Sequence, residues 1–263
     1  MNVFRKFLSD NRRSLTGWTL AIAAVAAMYA GFWPTIGGNA DMLKAMESYP
    51  DAIKQAFHME DMSTPASYLG SSVFGLLIPM LVAIFAIAYG VKAIAGDEEA
   101  GTLDLTLAHP VGRLALALQR FGAIAVGLAV VGGGVLLAML ALRGPADLGR
   151  ITVGDFIATC LQLALFGLVF AGLAYAVGAA TGRKTLALAT GAAAVVVSYL
   201  ADSFFVQVDA LTWTERLSPF EWYIGGEPLK HGVQWGDSAL LLGVSLTLVA
   251  LGTWRFHRRD IAV

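Results

Sequence analysis

The sequence predicts an all-α integral membrane protein. It reads as one domain over residues 1–263, with six transmembrane helices, both termini cytoplasmic, and a short cytoplasmic helix between the second and third spans. Three observations predict this. Hydrophobic residues make up 57% of the chain and charged residues only 14%, with a mean hydropathy of +0.68; a soluble domain carries about 25% charge. The apolar residues gather in six runs, five of them long enough to cross about 30 Å of hydrocarbon at ~1.5 Å per residue and the last, 239–254, short but extendable at both ends. Lysine and arginine are distributed unevenly between the intervening segments. Lipid offers no hydrogen bond to a peptide group, so each run has to satisfy its own backbone as a helix.

A basic head, Arg5, Lys6, Arg12 and Arg13, precedes the first span, 15–33. This run is longer than the ~7–15 residues of a signal-peptide core and reads as an uncleaved span. Residues 34–67 carry too many charges for lipid, Asp41, Lys44, Glu47 and Asp51 among them. Met42, Ala45, Met46, Ile53 and Phe57 recur there at roughly helical spacing, which points to a helix lying on the outer interface. The second span, 68–95, contains Pro79, expected to kink it, and Lys92, expected to snorkel at its end. The third, 114–142, begins with an interfacial Arg120 and carries Gly127, Gly132, Gly133 and Gly134, which permit close helix approach. A polar turn leads to the fourth span, 156–180, and the tight basic turn Gly182-Arg183-Lys184 to the fifth, 186–205. Residues 206–237 form a second outer excursion with Trp213, Phe220, Trp222, Tyr223 and Trp235, aromatics that favour the membrane–water boundary. The sixth span, 239–254, is followed by Arg255, His257, Arg258 and Arg259.

Six spans place both termini on one side. That side holds twelve of the eighteen lysines and arginines, against six on the side with the longer loops. Positive residues favour the cytoplasm, so the termini and the loop 96–113 are expected there, in a plasma membrane.

Several chemistries are unsupported. A net charge of −1 gives no electrostatic case for nucleic acid. The single cysteine, Cys160, excludes an intrachain disulfide and a cysteine metal cluster. His58, His109, His231 and His257 show no metal-ligand spacing. Residues 178–185 nearly spell a phosphate-binding loop, but Arg183 stands where glycine must precede the lysine. Ser198 and Asp202 are the only polar pair near a span interior, and Asp202 is expected to be a solvated helix end. No catalytic residue, metal or cofactor site is expected in this chain.

The most polar internal stretch is 96–113, GDEEAGTLDLTLAHPVGR. Asp97, Glu98 and Glu99 open it, Gly101 gives it a flexible point, and Thr102 is a good N-cap. A helix of about two turns follows, with Leu103 and Leu107 on one exposed face. Pro110 stops it and Arg113 closes it. A capped helix with exposed leucines between two spans is a docking knob.

The pattern of Asp97, Glu99, Gly101, Thr102, Leu103, Asp104, Leu107, Pro110 and Arg113 resembles the coupling-helix segment of ABC-transporter permease subunits, of the type-two, exporter-like group. Thr106 and Gly112 depart from that pattern. The stretch 217–232, with Ser218-Pro219-Phe220-Glu221-Trp222 and then Gly225-Gly226, resembles the segment before the final span in the same family. The resemblance implies that 96–113, Glu98 included, docks on a separate ATPase subunit, which binds the ATP and magnesium. It implies a second permease chain, identical or related, with substrate exported between the two. It points to Phe74, Met80, Val196 and Tyr199 as candidates for the substrate path. A secondary transporter would instead need charges deep in the spans and an internal repeat. A membrane enzyme or non-transporting assembly subunit would need a catalytic set at one membrane face. The sequence offers neither.

Overall fold

Six helices are long and apolar enough to cross a membrane: Val3–Gly37, Pro65–Glu99, Arg113–Leu142, Val153–Thr181, Lys184–Gln207 and Trp235–Arg258. The computed structural model describes residues 3–57, 59, 61–103 and 112–259, and of residues 40, 43, 46, 47 and 51 the backbone only. No strand occurs among the described residues.

The fourth span is the hub, packed along the second, third, fifth and sixth. Its buried residues, Phe156, Leu163, Phe166, Phe170 and Tyr175 among them, lie on every side of the helix. A helix apolar all round is a core helix. It starts at a capping box in which Thr152 and Asp155 satisfy each other's backbone N–H groups. Close contact with the second span depends on Gly90, where a Cβ would lie 2.5 Å from the Ala171 carbonyl oxygen. Of the four glycines singled out in the third span, Gly132 faces the Cys160 carbonyl of the fourth span, whereas Gly133 faces open space.

The first helix runs unbroken from Val3 to Gly31, so the basic head is helical, not a tail. Val3, Phe7 and Asn11, four apart, form a buried stripe, and Arg5, Arg12 and Arg13 face outward. This helix packs chiefly on the third span.

The irregularity near Pro79 falls before it and not at it. A π-helical turn covers Gly70–Phe74, Leu76 breaks the helix with φ −133°, and α-helix resumes over Leu77–Val91. Pro79 is the third residue of that segment, where an N–H has no intrahelical acceptor and its absence costs nothing.

Short helices Ala40–Glu47 and Asp51–Ala56 occupy the first excursion. The second excursion is a chain of short helical turns, Asp209–Leu217, Glu221–Gly225 and Pro228–His231. It folds against the ends of the fourth, fifth and sixth spans. Asp202, expected to be solvated there, is instead only 3% exposed.

Candidate functional site

Successive residues of a helix point about 100° apart. Three acids in succession therefore fan out, and each of Asp97, Glu98 and Glu99 meets a different neighbour. They form the last helical turn of the second span, after a π-helical turn over Lys92–Gly96. Asp97 pairs with Arg120 of the third span at 2.7 Å. Glu98 pairs with Arg259, one residue past the sixth span, at 2.5 Å. Glu99 accepts the backbone N–H of Lys184, the first residue of the fifth helix, at 2.7 Å. No side chain of the fifth helix's own N-cap residue, Arg183, does this. The Glu99 carboxylate thus caps that helix from another span, at the positive end of its dipole.

Arg120 was expected at the interface but is 5% exposed. Its second nitrogen donates to the Ala93 carbonyl at 2.7 Å, one of the carbonyls a helix end leaves open. Arg113, two turns earlier on the same face, donates to the Arg259 carbonyl at 2.7 Å. Lys92 donates to Asn11 Oδ1 of the first helix at 2.6 Å. A cavity of about 220 Å³ opens beside this brace, lined by Lys6, Asn11, Lys92, Asp97, Thr102 and Arg120 among others. Both ends of the described chain and the two flanks of the loop therefore meet at one end of the bundle.

Gly101 is left-handed, φ +66°, and closes the acidic turn by donating to the Glu98 carbonyl at 3.0 Å. Thr102 reaches back: its N–H and its hydroxyl both donate to the Asp97 carbonyl, at 2.9 and 3.2 Å. Leu103 was expected to be exposed and is 1% exposed, part of the chain's own core. Asp104, Leu107 and Pro110 lie outside the described residues.

The four path candidates do not form one surface. Phe74 is 0% exposed and belongs to the core, and Met80 is half-buried. Tyr199 packs on Phe204 and Phe220, with ring centres 6.3 and 5.5 Å away, and its hydroxyl donates to the Ala56 carbonyl at 3.4 Å. Val196, 53% exposed, stands on the open side of the fifth helix. That helix buries only a stripe of small residues, Ala187, Gly191 and Val195, over most of its length.

The near-phosphate-loop segment is a helix–turn–helix corner. Gly182 is left-handed, φ +70°, between helices ending at Thr181 and starting at Lys184. A Cβ there would lie 2.5 Å from Arg259 Nη1 and 2.6 Å from Glu98 Oε1. Sequence reasoning missed Arg120, Arg259, Asn11 and the Lys184 N–H as partners of this segment. The one available signal was the spacing of Arg113 and Arg120, two helical turns apart.

Fold and site together define a multi-pass helical membrane protein whose ionic end gathers both ends of the described chain. The chain matches the model of the ABC-2 family transporter protein over residues 1–261, and it belongs to that family. It is similar to the probable ABC transporter permease protein NosY of Pseudomonas aeruginosa, with 32% identity over 189 residues, 70% of this chain and 61% of that protein. It is similar also to the probable ABC transporter permease protein NosY of Stutzerimonas stutzeri, with 30% identity over 192 residues, 71% of this chain and 61% of that one. The matched region thus spans about three fifths of these relatives' length.

Proposed function

We propose that the chain is the membrane-spanning permease subunit of an ATP-driven exporter in the plasma membrane. A separate ATPase subunit docks on 96–113 and binds the ATP and magnesium, and this chain performs no hydrolysis. Two permease chains, identical or related, pair with two ATPase subunits, and substrate passes between the permeases. The carrying observation is the fan of Asp97, Glu98 and Glu99 onto Arg120, Arg259 and the fifth helix. A push on the loop moves the second span against three other elements at once. The excess of Lys and Arg at this end supports a cytoplasmic placement, where an ATPase would be met.

Leu107 is the residue on which docking is tested. Burying a leucine contributes about 1.5–3 kcal/mol, and an aspartate in its place puts a charge into an apolar cleft. Leu107→Asp is expected to give a normally inserted chain that no longer retains its ATPase in pull-down from membranes. Wild-type retention in that variant would show that 96–113 is not the docking segment.

A further inference from the structure

We infer that Arg259 is a positioning residue: a latch that carries movement of the 96–113 segment to the sixth span and to the turn between the fourth and fifth. The inference rests on the transporter reading above and deepens it. Three contacts converge on this residue. Its guanidinium holds Glu98 at 2.5 Å, with side chains 15% and 6% exposed respectively. Its carbonyl accepts Arg113 of the third span at 2.7 Å. Its Nη1 and the Glu98 carboxylate lie against Gly182, closely enough that a Cβ would collide with both.

The sixth span packs chiefly on the fourth, and more lightly on the third and on the second excursion. The Glu98–Arg259 pair is thus a direct polar link from the end of the second span to the end of the sixth. Exposed ion pairs slide and contribute little. A short, charge-assisted pair shielded from water holds one geometry, so displacement of one partner displaces the other. Gly182 makes the linkage three-way. The corner has a left-handed backbone and no side chain, so the ion pair seats directly on it, and a shift of Arg259 bears on the fourth and fifth spans.

The test uses the chain purified with the ATPase subunit that accompanies it. Spin labels are placed at Leu118→Cys on the third span and Leu251→Cys on the sixth, 49% and 57% exposed and near the latch, in a Cys160→Ala background. Inter-label distances are measured with and without magnesium and a non-hydrolysable ATP analogue. The native latch is expected to give a nucleotide-dependent population shift, and Arg259→Ala to shrink it at least about fivefold, the lower range of a typical coupling between sites. Arg259→Ala is expected to retain the ATPase in pull-down, and Arg259→Lys, which keeps a positive charge opposite Glu98, to restore much of the shift. An unchanged shift in Arg259→Ala overturns the latch, and so does a native complex whose sixth span does not respond. Loss of the ATPase in Arg259→Ala would assign Arg259 to the partner contact and overturn the latch also. If the native chain retains no ATPase at all, the transporter reading fails first, and the latch with it.

Discussion

At the end of the bundle where both ends of the described chain lie, the second span is tied to its neighbours by charge: Asp97 to Arg120, Glu98 to Arg259, Glu99 to the fifth helix. At the opposite end the ties are rings. Phe166 of the fourth span packs on Phe220 and Tyr223 of the second excursion, with centres 4.8 and 5.1 Å apart, and Tyr199 of the fifth continues the cluster at 5.5 Å from Phe220. Ring contacts tolerate a range of offsets and tilts. A shielded ion pair has one partner and one distance, and losing the partner leaves a charge with no water to replace it. The difference assigns the ends different mechanical roles. The ionic end fixes its register; the aromatic end tolerates adjustment of its parts.

The largest expected effect breaks the ionic end. Arg120→Ala removes the partner of Asp97 and of the Ala93 carbonyl. Breaking a buried pair costs about 3–5 kcal/mol, and the lower end, about 3 kcal/mol, is expected because Asp97 is 28% exposed and rehydrates. Thermal unfolding of the purified protein measures this. A loss under about 1 kcal/mol, the range of surface pairs, would mean that the brace is decorative.

Next in size is a substitution at the aromatic end with the opposite sign. Tyr223 is 0% exposed, and its hydroxyl has no hydrogen-bond partner among the described residues. Burial raises its pKa well above the ordinary tyrosine value. Leaving a buried polar group unsatisfied costs about 1–3 kcal/mol, so Tyr223→Phe is expected to stabilise by about that amount. Destabilisation in the same melting assay would mean that the hydroxyl is anchored and that the ring cluster is not purely apolar.

Glu99→Ala separates the two ends more finely. It removes the carboxylate that caps the fifth helix, and a lost cap costs about 0.5–2 kcal/mol. Glu99 is exposed, so the lower value applies. Hydrogen exchange at the first turn of the fifth helix is expected to quicken while the aromatic end is unchanged. Equal quickening at both ends would contradict their independence.

The spans were legible because about twenty consecutive apolar residues match the thickness of a bilayer and exceed what a soluble core helix needs. Their facing was not. Against lipid the outer face of a helix is as apolar as the inner one, so the amphipathic signal that marks a core side in water is absent. Phe74 is wholly core and Val196 is exposed, yet both are apolar residues in apolar runs. The first helix hid the reverse way: its stripe of Val3, Phe7 and Asn11 is interleaved with Arg5, Lys6 and Asp10 and reads as a polar head. The acidic segment was legible as a segment, but its partners lie 85 and 161 residues away for Glu99 and Glu98. Leu103 is a residue with two possible uses, core or partner, and only the packing of the second span's end decides for core.

The smallest expected effect is read by its pH dependence more than by its size. Glu221 sits in the second excursion beside the ring cluster, and its carboxyl is pushed above its ordinary value of 4.5, first by burial and then by the negative charges of Glu215 and Asp237. A carboxyl raised in the fold favours folding in its protonated form. That contribution is fully present below about pH 4.5 and is lost as pH rises through the folded value. At neutral pH the ionised group works against the apolar end it occupies, and Glu221→Gln is expected to raise the melting temperature there. Near pH 4 the native carboxyl is already neutral, so the gain should vanish. Asp61, in the first excursion, provides the opposite sign: hydrogen bonds from the Ser63 side chain, the Ser63 backbone and Ser67 hold its carboxyl below 3.8. Its contribution is present above that value and is lost as pH falls through the folded one, so Asp61→Asn should cost stability at neutral pH and cost nothing in strong acid. Melting curves of both variants from about pH 3 to pH 8 make the comparison. A gain for Glu221→Gln that is equal at pH 4 and pH 7 would show that the substitution acts through packing and not through the buried charge.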